Sequence, residues 1–522
     1  MSRLNPARKV IAGVKRIVVN DPDKRAMTQS IPIIDDALAQ RIIDLAMRVA
    51  ALMLSVGSSS KAVAEATLRI TRAYGLKKAH VDVTFTSVTV SDHRDGAGQP
   101  ITLMQVVQAV GADHQKLQRL QALVADIEQG MELHDAIAEF HRIRRKPFLY
   151  RNSIVVVVSA LLSVSVAVMY RATWIELLVV ALSALGASLT LYLLGRIHVP
   201  VFFSQIGAAI VLTAVAAAAA LLARMGIEPF TDLRAAVIMS SGIILMLSGV
   251  AVVGAAQDAI DGFSLTATGR ILDLTLLTFG LVIGIVAGLE FSHAFGAGLP
   301  LPDEVIAFGP WPFHLAGSMM IAAAVAVVNG GGARIVVVSA GLGGLAWLGY
   351  VGIVEAGLEV ATASFGGAMI ASFVGGVLAP RLHVPAVAVT TAAIIPLVPG
   401  SLVFRGLLGI VQAEADSGDL ITAVNTLIGA ALIGVGLAAG ATLGVFLASP
   451  IRARFSTHKY AFRPASRLSS GAGTAPLQVM APEPREIPTE PLPDPVAEAP
   501  HRGEEPPPIT RPFNLSDLDD AR

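Results

Sequence analysis

One apolar segment, about residues 385 to 411, carries the residues whose spacing points most directly to binding chemistry. Pro396 and Pro399 each lack a backbone N–H donor and Gly400 adds conformational freedom, so the sequence predicts a helix that breaks near its centre. The second half-helix then begins around Ser401, with its first N–H groups and its positive dipole end facing the gap. A carboxylate fits such a gap. A packing kink without a ligand is the alternative.

Two further features extend this predicted site. Arg405 lies one turn beyond the break, where its guanidinium either pairs with a substrate carboxylate or reaches toward the outer membrane surface. A milder break is expected in another apolar segment, at Ser248 and Gly249. The predicted substrate-binding residues are Pro399, Gly400, Ser401, Arg405, Ser248 and Gly249.

Three carboxylates lie closest to the apolar segments: Asp258, Asp273 and Glu290. Intramembrane carboxylates commonly couple substrate movement to protons, so these residues are candidates for proton coupling. The alternative for each of them is an interfacial position without a role in transport.

Other chemistries find little support. The chain has no Cys, and its 11 His residues show no metal-ligand spacing, so no metal and no cofactor are predicted. Ser58, Ser60, His80 and Asp82 could suggest a hydrolase, but no G-x-S-x-G motif is present and no catalytic residue is predicted. The formal net charge of zero gives no general attraction to nucleic acid.

The charge distribution predicts a membrane protein. Of 522 residues, 54% are hydrophobic and 15% are charged, and only 22 of the 78 charged residues lie between residues 153 and 448. This middle part predicts a multi-pass α-helical membrane protein with ten transmembrane helices, since each segment is long enough, or nearly so, to cross a bilayer of about 30 Å. The segments are about 153–170, 174–194, 201–223, 235–256, 271–289, 312–328, 335–353, 360–379, 385–411 and 423–448.

The distribution of Arg and Lys predicts the orientation of these helices. With the amino terminus inside, twelve basic residues fall on the cytoplasmic side and four on the external side, as the positive-inside rule requires. We therefore expect a multi-pass protein of the cytoplasmic membrane with both termini in the cytoplasm.

The membrane part divides into two similar halves, residues 153–290 and 311–448. The turn at residues 262–267 (Gly-Phe-Ser-Leu-Thr-Ala) resembles the turn at residues 418–423 (Gly-Asp-Leu-Ile-Thr-Ala), and each leads into the last helix of its half. Because five crossings per half reverse the direction of entry, we expect two inverted five-helix repeats, an arrangement common among secondary transporters.

The regions outside the membrane part are polar. Residues 31–150 show helical periodicity, an alternating β-branched strand over residues 81–90, a second strand from Ile101 and two further helices, which together predict a small α+β cytoplasmic domain. Residues 1–30 are predicted to be a basic, flexible amino terminus, and residues 461–522 a disordered Pro-rich tail.

Several motifs together resemble the threonine/serine exporter family. They are residues 52–60 (LMLSVGSSS), 72–76 (RAYGL), 81–87 (VDVTFTS) and 395–401 (IPLVPGS) with Arg405-Gly406-Leu407. The resemblance covers roughly residues 35 to 450 and implies a bacterial inner-membrane carrier that exports threonine and serine, driven by the proton motive force. The fourth segment departs from the expected pattern, because it has Leu247-Ser248-Gly249 without a proline before the glycine.

The expected partners are therefore a small amino acid, a coupling ion that is a proton, and the lipid bilayer. The oligomeric state stays open, a homo-oligomer included. Three alternatives also stay open: an exporter of another small carboxylate such as a dicarboxylate, a membrane-anchored hydrolase, and a signalling protein that uses the amino-terminal domain.

Overall fold

The computed structural model describes residues 35–93, 100–108, 111–246, 249–294, 310–382, 384–412 and 419–456. The predicted tails, residues 1–30 and 461–522, lie outside the described residues.

Four helices and a sheet form the amino-terminal region, which we define as residues 35–150. The elements are α1 (Asp36–Ser55), α2 (Ser60–Ala73), β1 (Ala79–Val83), β2 (Ser87–Asp92), β3 (Ile101–Val106), α3 (His114–Glu128) and α4 (Leu133–Arg145). Asp35 and Ser59 cap α1 and α2, because their side chains accept hydrogen bonds from the N–H groups of Ala37 and Ala62. Gly57 has a φ of +87°, which lets the chain reverse between the two helices.

The three strands form an antiparallel sheet in the order β1-β2-β3. The prediction of one strand over residues 81–90 was wrong, because the chain turns at residues 84–86 and divides this segment into β1 and β2. The Thr84 N–H donates to the Ser87 carbonyl across the turn at 2.9 Å, and the Thr84 and Ser87 hydroxyls bond each other at 2.8 Å. Alternating β-branched residues fit both arrangements, so their pattern alone did not reveal the turn.

Helix α1 is central to the core of the amino-terminal region. It packs against α2, β2 and β3, and its buried apolar residues recur at intervals of three and four. These residues, Ile42, Ile43, Ala46, Val49 and Met53, are almost completely excluded from solvent. The helical periodicity of the sequence therefore corresponds to the buried face of this helix.

The rest of the described chain is helical. The helices are α5 (Asn152–Met169), α6 (Trp174–Arg196), α7 (Val201–Arg224), α8 (Ala235–Met246), α9 (Gly249–Ile260), α10 (Ser264–Ala294), α11 (Trp311–Val328), α12 (Ala333–Glu355), α13 (Val360–Leu382), α14 (Ala386–Ile394), α15 (Gly400–Gln412) and α16 (Asp419–Ser456). Among the described residues, eight of these helices are long and apolar enough to cross a membrane. The bent pair α14 and α15 makes nine, so the chain is a multi-pass helical membrane protein.

The fourth predicted segment is described as two helical stretches, α8 up to Met246 and α9 from Gly249, with residues 247–248 between them outside the described residues. Ser248 lies outside the described residues.

The helices of the two halves pack according to the same plan. In the first half, α8 packs against α5, α6 and α7, while α9 packs against α10 and α10 against α7. In the second half, α14 packs against α11, α12 and α13, while α15 packs against α16 and α16 against α13. The first helices of the halves, α5 and α11, also pack against each other.

Glycines at four-residue spacing allow the last helix of each half to approach its neighbour closely. Gly280, Gly284 and Gly288 bring α10 against α7, where a Cβ on Gly284 would lie only 2.5 Å from the Ile206 carbonyl oxygen. Gly436, Gly440 and Gly444 do the same for α16 against backbone atoms of α13. Each set stands at the same distance along the chain from the turn glycine of its half, Gly262 or Gly418.

Candidate functional site

The break predicted in the ninth segment is present. Helix α14 ends at Ile394, a short 3-10 turn covers Ile395–Leu397, and α15 begins at Gly400 with its axis bent by 54°. Pro399 cannot donate a hydrogen bond to the preceding helix, and its carbonyl accepts the N–H of Val403 to start the new one. The chain is therefore unwound between two half-helices.

The break in the ninth segment lies against the fourth segment. A Cβ on Gly249 of α9 would lie 3.4 Å from the side chains of Ile395 and Val398. Helix α9 also packs against α14, and α8 packs against α15. The break between α14 and α15 therefore contacts the fourth segment at Gly249.

Two polar contacts hold α8 in place. At the end of the helix, the side-chain amide of Gln205 on α7 donates to the Met246 carbonyl at 2.8 Å. Before the start of the helix, Arg234 forms a paired ion bridge with the buried carboxylate of Glu176 on α6, at 2.8 and 2.9 Å. Both ends of α8 are thereby tied to neighbouring helices.

A cavity of about 240 Å³ lies beside the break between α14 and α15. This volume is below the roughly 300–1,000 Å³ of pockets for drug-sized ligands, so the cavity matches a smaller molecule. Among its lining residues, Ser159 and Asn329 carry polar side chains. The apolar and glycine residues of the wall are Leu162, Ile244, Met246, Gly249, Val252, Ile321, Val325, Val328, Ile395, Val398, Gly400 and Val403.

The N-terminus of α15 lies at this cavity. Gly400 begins α15 and lines the cavity wall, as does Gly249 of α9. The Gly400 N–H donates to the Val398 carbonyl at 2.8 Å, and the helix dipole adds partial positive charge at this end of α15. The cavity therefore combines an apolar wall with one helix N-terminus that attracts an anion.

Three other predicted substrate-binding residues, Pro399, Ser401 and Arg405, lie around the break and are not among the described residues that line the cavity. Pro399 is buried and Ser401 is partly buried in the first turn of α15. Arg405 is partly buried one turn further along, close enough to Tyr170 at the end of α5 to interact with it electrostatically.

Asp258 lies at the junction between α9 and the amino-terminal region. Its carboxylate is completely buried, accepts the backbone N–H of Ser60 at 3.2 Å and pairs with Arg270 of α10 at 3.1 Å. Ser60 is the first residue of α2, so the carboxylate lies at a helix N-terminus. Asp258 thus holds the amino-terminal region against the membrane helices.

Further contacts extend this junction. Lys61 pairs with Asp261 at 2.8 Å, and this hydrogen bond raises the pKa of the Lys61 ammonium. Phe85, in the turn between β1 and β2, packs against Gly269 of α10. The remaining two proton-coupling candidates, Asp273 and Glu290, are exposed on the surface of α10.

Models of two related families match most of the chain. The model described as "Putative threonine/serine exporter" matches residues 44–292, and the model described as "Threonine/Serine exporter, ThrE" matches residues 314–447. A Mycobacterium tuberculosis protein named "Probable threonine/serine exporter" is 31% identical over 439 residues, which cover 80% of this chain and 78% of that relative. The chain belongs to the threonine/serine exporter family.

A second member of the family comes from Corynebacterium glutamicum. This protein, named "Threonine/serine exporter", is 28% identical over 454 residues, which cover 84% of this chain and 89% of the relative. No solved structure matches the chain. The boundary between the two matched regions falls between α10 and α11, where the two halves of this family member meet.

Sequence reasoning missed three polar residues at the site of this exporter-family protein: Ser159, Gln205 and Asn329. A lone amide within an apolar segment is an available signal for Gln205, because it needs a partner once buried. Asn329 stands before Gly330 and Gly331 and resembles an ordinary helix end. No local pattern could have shown that it lines a cavity.

The residues that could suggest a hydrolase do not form a site. Ser58 and Ser60 are buried, whereas His80 and Asp82 are exposed on β1. This arrangement presents no accessible nucleophile beside a base. Within the described ranges, no cluster of His, Asp and Glu could hold a metal ion.

Proposed function

We propose that the chain is a secondary active exporter that carries threonine and serine across the bacterial cytoplasmic membrane and uses the proton motive force. One observation carries the proposal: the break between α14 and α15 places the helix N-terminus at Gly400 on the wall of a small cavity, beside Gly249. The family to which the chain belongs and the names of its relatives support the substrate class.

A zwitterionic amino acid matches the polarity of this cavity. Its carboxylate binds at the first turn of α15, at the N–H groups of Ser401 and Leu402, because the Gly400 N–H donates to the Val398 carbonyl. Arg405 adds positive potential one turn away. The ammonium group binds carbonyl oxygens freed where α14 ends, since unwound backbone deep in a membrane needs polar partners.

The site lies between two inverted five-helix repeats that make ten crossings, with both termini and a cytoplasmic α+β domain on the inner side. Helices α8 and α9 together form the fourth crossing, and α14 and α15 form the ninth. The shared packing plan and the matching glycine sets on α10 and α16 support this arrangement. Transport then proceeds as the two halves rock around the fixed site.

Proton coupling is assigned to the acids of α9 and α10. Asp258 is the first candidate, because it is buried, forms an ion pair with Arg270 and accepts a hydrogen bond from Ser60. Asp273 and Glu290 are secondary candidates, since their exposure on α10 leaves them accessible to water or headgroups.

Efflux from dipeptide-fed bacterial cells tests the proposal. Cells that produce the protein should release threonine and serine faster than cells without it, and a protonophore should abolish the difference. Pro399→Ala should restore helical hydrogen bonding at the break and reduce efflux, whereas Gly195→Ala, at a position open to its surroundings, should not.

The competing substrate is tested in the same cells. Intracellular succinate should leave threonine efflux unchanged if the site selects amino acids. Efflux that does not depend on the protein, or that succinate suppresses, would contradict the proposed substrate class.

A further inference from the structure

Asn329, at the wall of the cavity, carries a polar group that has no partner among the described residues. The Nδ2 atom of Asn329 is buried and has no hydrogen-bond partner among the described residues. Asn329 follows the last residue of α11 and lines the cavity. Because buried amide donors in native proteins are almost always paired, this donor is available to bond a polar ligand.

The backbone of Asn329 is held firmly by the amino-terminal region. Its carbonyl oxygen accepts the His114 N–H at 2.7 Å. Two residues later, the carbonyl of Gly331 accepts the Tyr150 hydroxyl at 2.8 Å. Phe148 packs against Gly330 between them. The side chain of Asn329 therefore projects from a fixed turn, which preorganises it for binding.

We infer that the Asn329 carboxamide donates a hydrogen bond to the side-chain hydroxyl of the transported amino acid. This inference rests on the proposed function, because it assigns a partner to one group of the proposed substrate. The substrate has three polar groups. Its carboxylate is attracted to the N-terminus of α15, and its ammonium has no lone pair to accept the Nδ2–H bond, so the hydroxyl is the acceptor that remains.

The consequence is selection by chemistry at nearly constant size. Threonine and valine have almost the same shape, but valine presents a methyl group where threonine presents its hydroxyl. A site built to bond a hydroxyl rejects the analogue that lacks it, because the polar group of the site is then left unpaired. Asn329 thereby distinguishes threonine from valine, and serine from alanine.

Counterflow of labelled threonine and valine into proteoliposomes that contain the full chain tests this inference. The wild type should prefer threonine, and Asn329→Ala should lower the threonine-to-valine ratio of initial rates about tenfold, through a higher KM for threonine. Asn329→Ser should give an intermediate ratio, since its hydroxyl is a shorter donor. Ser163→Ala should keep the wild-type ratio, because that buried hydroxyl lies on α5 one turn beyond Ser159 and does not line the cavity.

A purely structural role for Asn329 predicts a different result, namely equal losses for both amino acids and an unchanged ratio. An unchanged ratio in both Asn329 variants, with normal threonine transport by the wild type, would overturn the inference and leave the proposed function intact. A wild type that carries neither threonine nor serine would overturn both. If Asn329→Ala fails to assemble, Asn329→Ser decides: a lowered threonine-to-valine ratio supports the inference, and an unchanged ratio overturns it.

Discussion

Substitution of Gly284 by alanine tests the close packing of α10 against α7. The added Cβ would lie 2.5 Å from the Ile206 carbonyl oxygen and 2.6 Å from the Ala209 Cβ. Since such contacts in proteins stay above roughly 3 Å, the two helices must separate by about 0.5 Å at this point. Overpacking of this kind typically costs about 1–3 kcal/mol.

A matched control separates packing from helix propensity. Gly341 lies within α12 and has no atom within 4 Å of the position that a Cβ would take. Alanine is more favourable than glycine in a helix by about 1 kcal/mol, and both substitutions gain this amount. Gly341→Ala should therefore stabilise the protein slightly, whereas Gly284→Ala should be neutral to destabilising by about 2 kcal/mol.

Thermal unfolding of the detergent-purified full chain, followed by tryptophan fluorescence, measures both variants. The expected result is a melting temperature for Gly284→Ala that lies several degrees below that of Gly341→Ala. Equal or greater stability of Gly284→Ala would refute the reasoning, because α10 and α7 would then not be in the close contact described.

Three further predictions follow from the site and its surroundings. Gly249→Val should reduce threonine efflux at least tenfold by pressing against the opposite break, while Gly195→Val, an open position, should not. Asp258→Asn should lower the free energy of unfolding by about 3 kcal/mol, because Arg270 loses its buried partner. Asp273→Asn, at an exposed position, should leave the free energy of unfolding unchanged. If Asp258→Asn leaves stability unchanged but alters the dependence of efflux on the proton gradient, direct proton coupling is supported instead. Burial lowers the pKa of His114 from 6.5 to about 4, so protonation of this side chain opposes folding. The free energy of unfolding of the wild type, measured by thermal unfolding, should therefore fall by about 3 kcal/mol between pH 6.5 and 4. His114→Gln should not show this decrease.

The sequence by itself determined the features that depend on local chemistry. Long apolar segments predict membrane helices, because a helix pairs its own backbone groups and its side chains must be apolar to lie in lipid. The break at Pro399 and Gly400 was also predictable, because a proline without an N–H removes a hydrogen bond from the helix in which it stands. The motifs at residues 52–60 and 395–401 were sufficient to suggest the family.

Only the tertiary structure decided which distant residues meet. Asp258 and Ser60 are separated by 198 residues, and no periodicity connects the end of α9 with the start of α2. The same holds for Gly249 against Ile395, and for the cavity beside Asn329. Hydropathy and proline chemistry act along one segment, whereas the packing of helices against one another selects which side chains share a buried space.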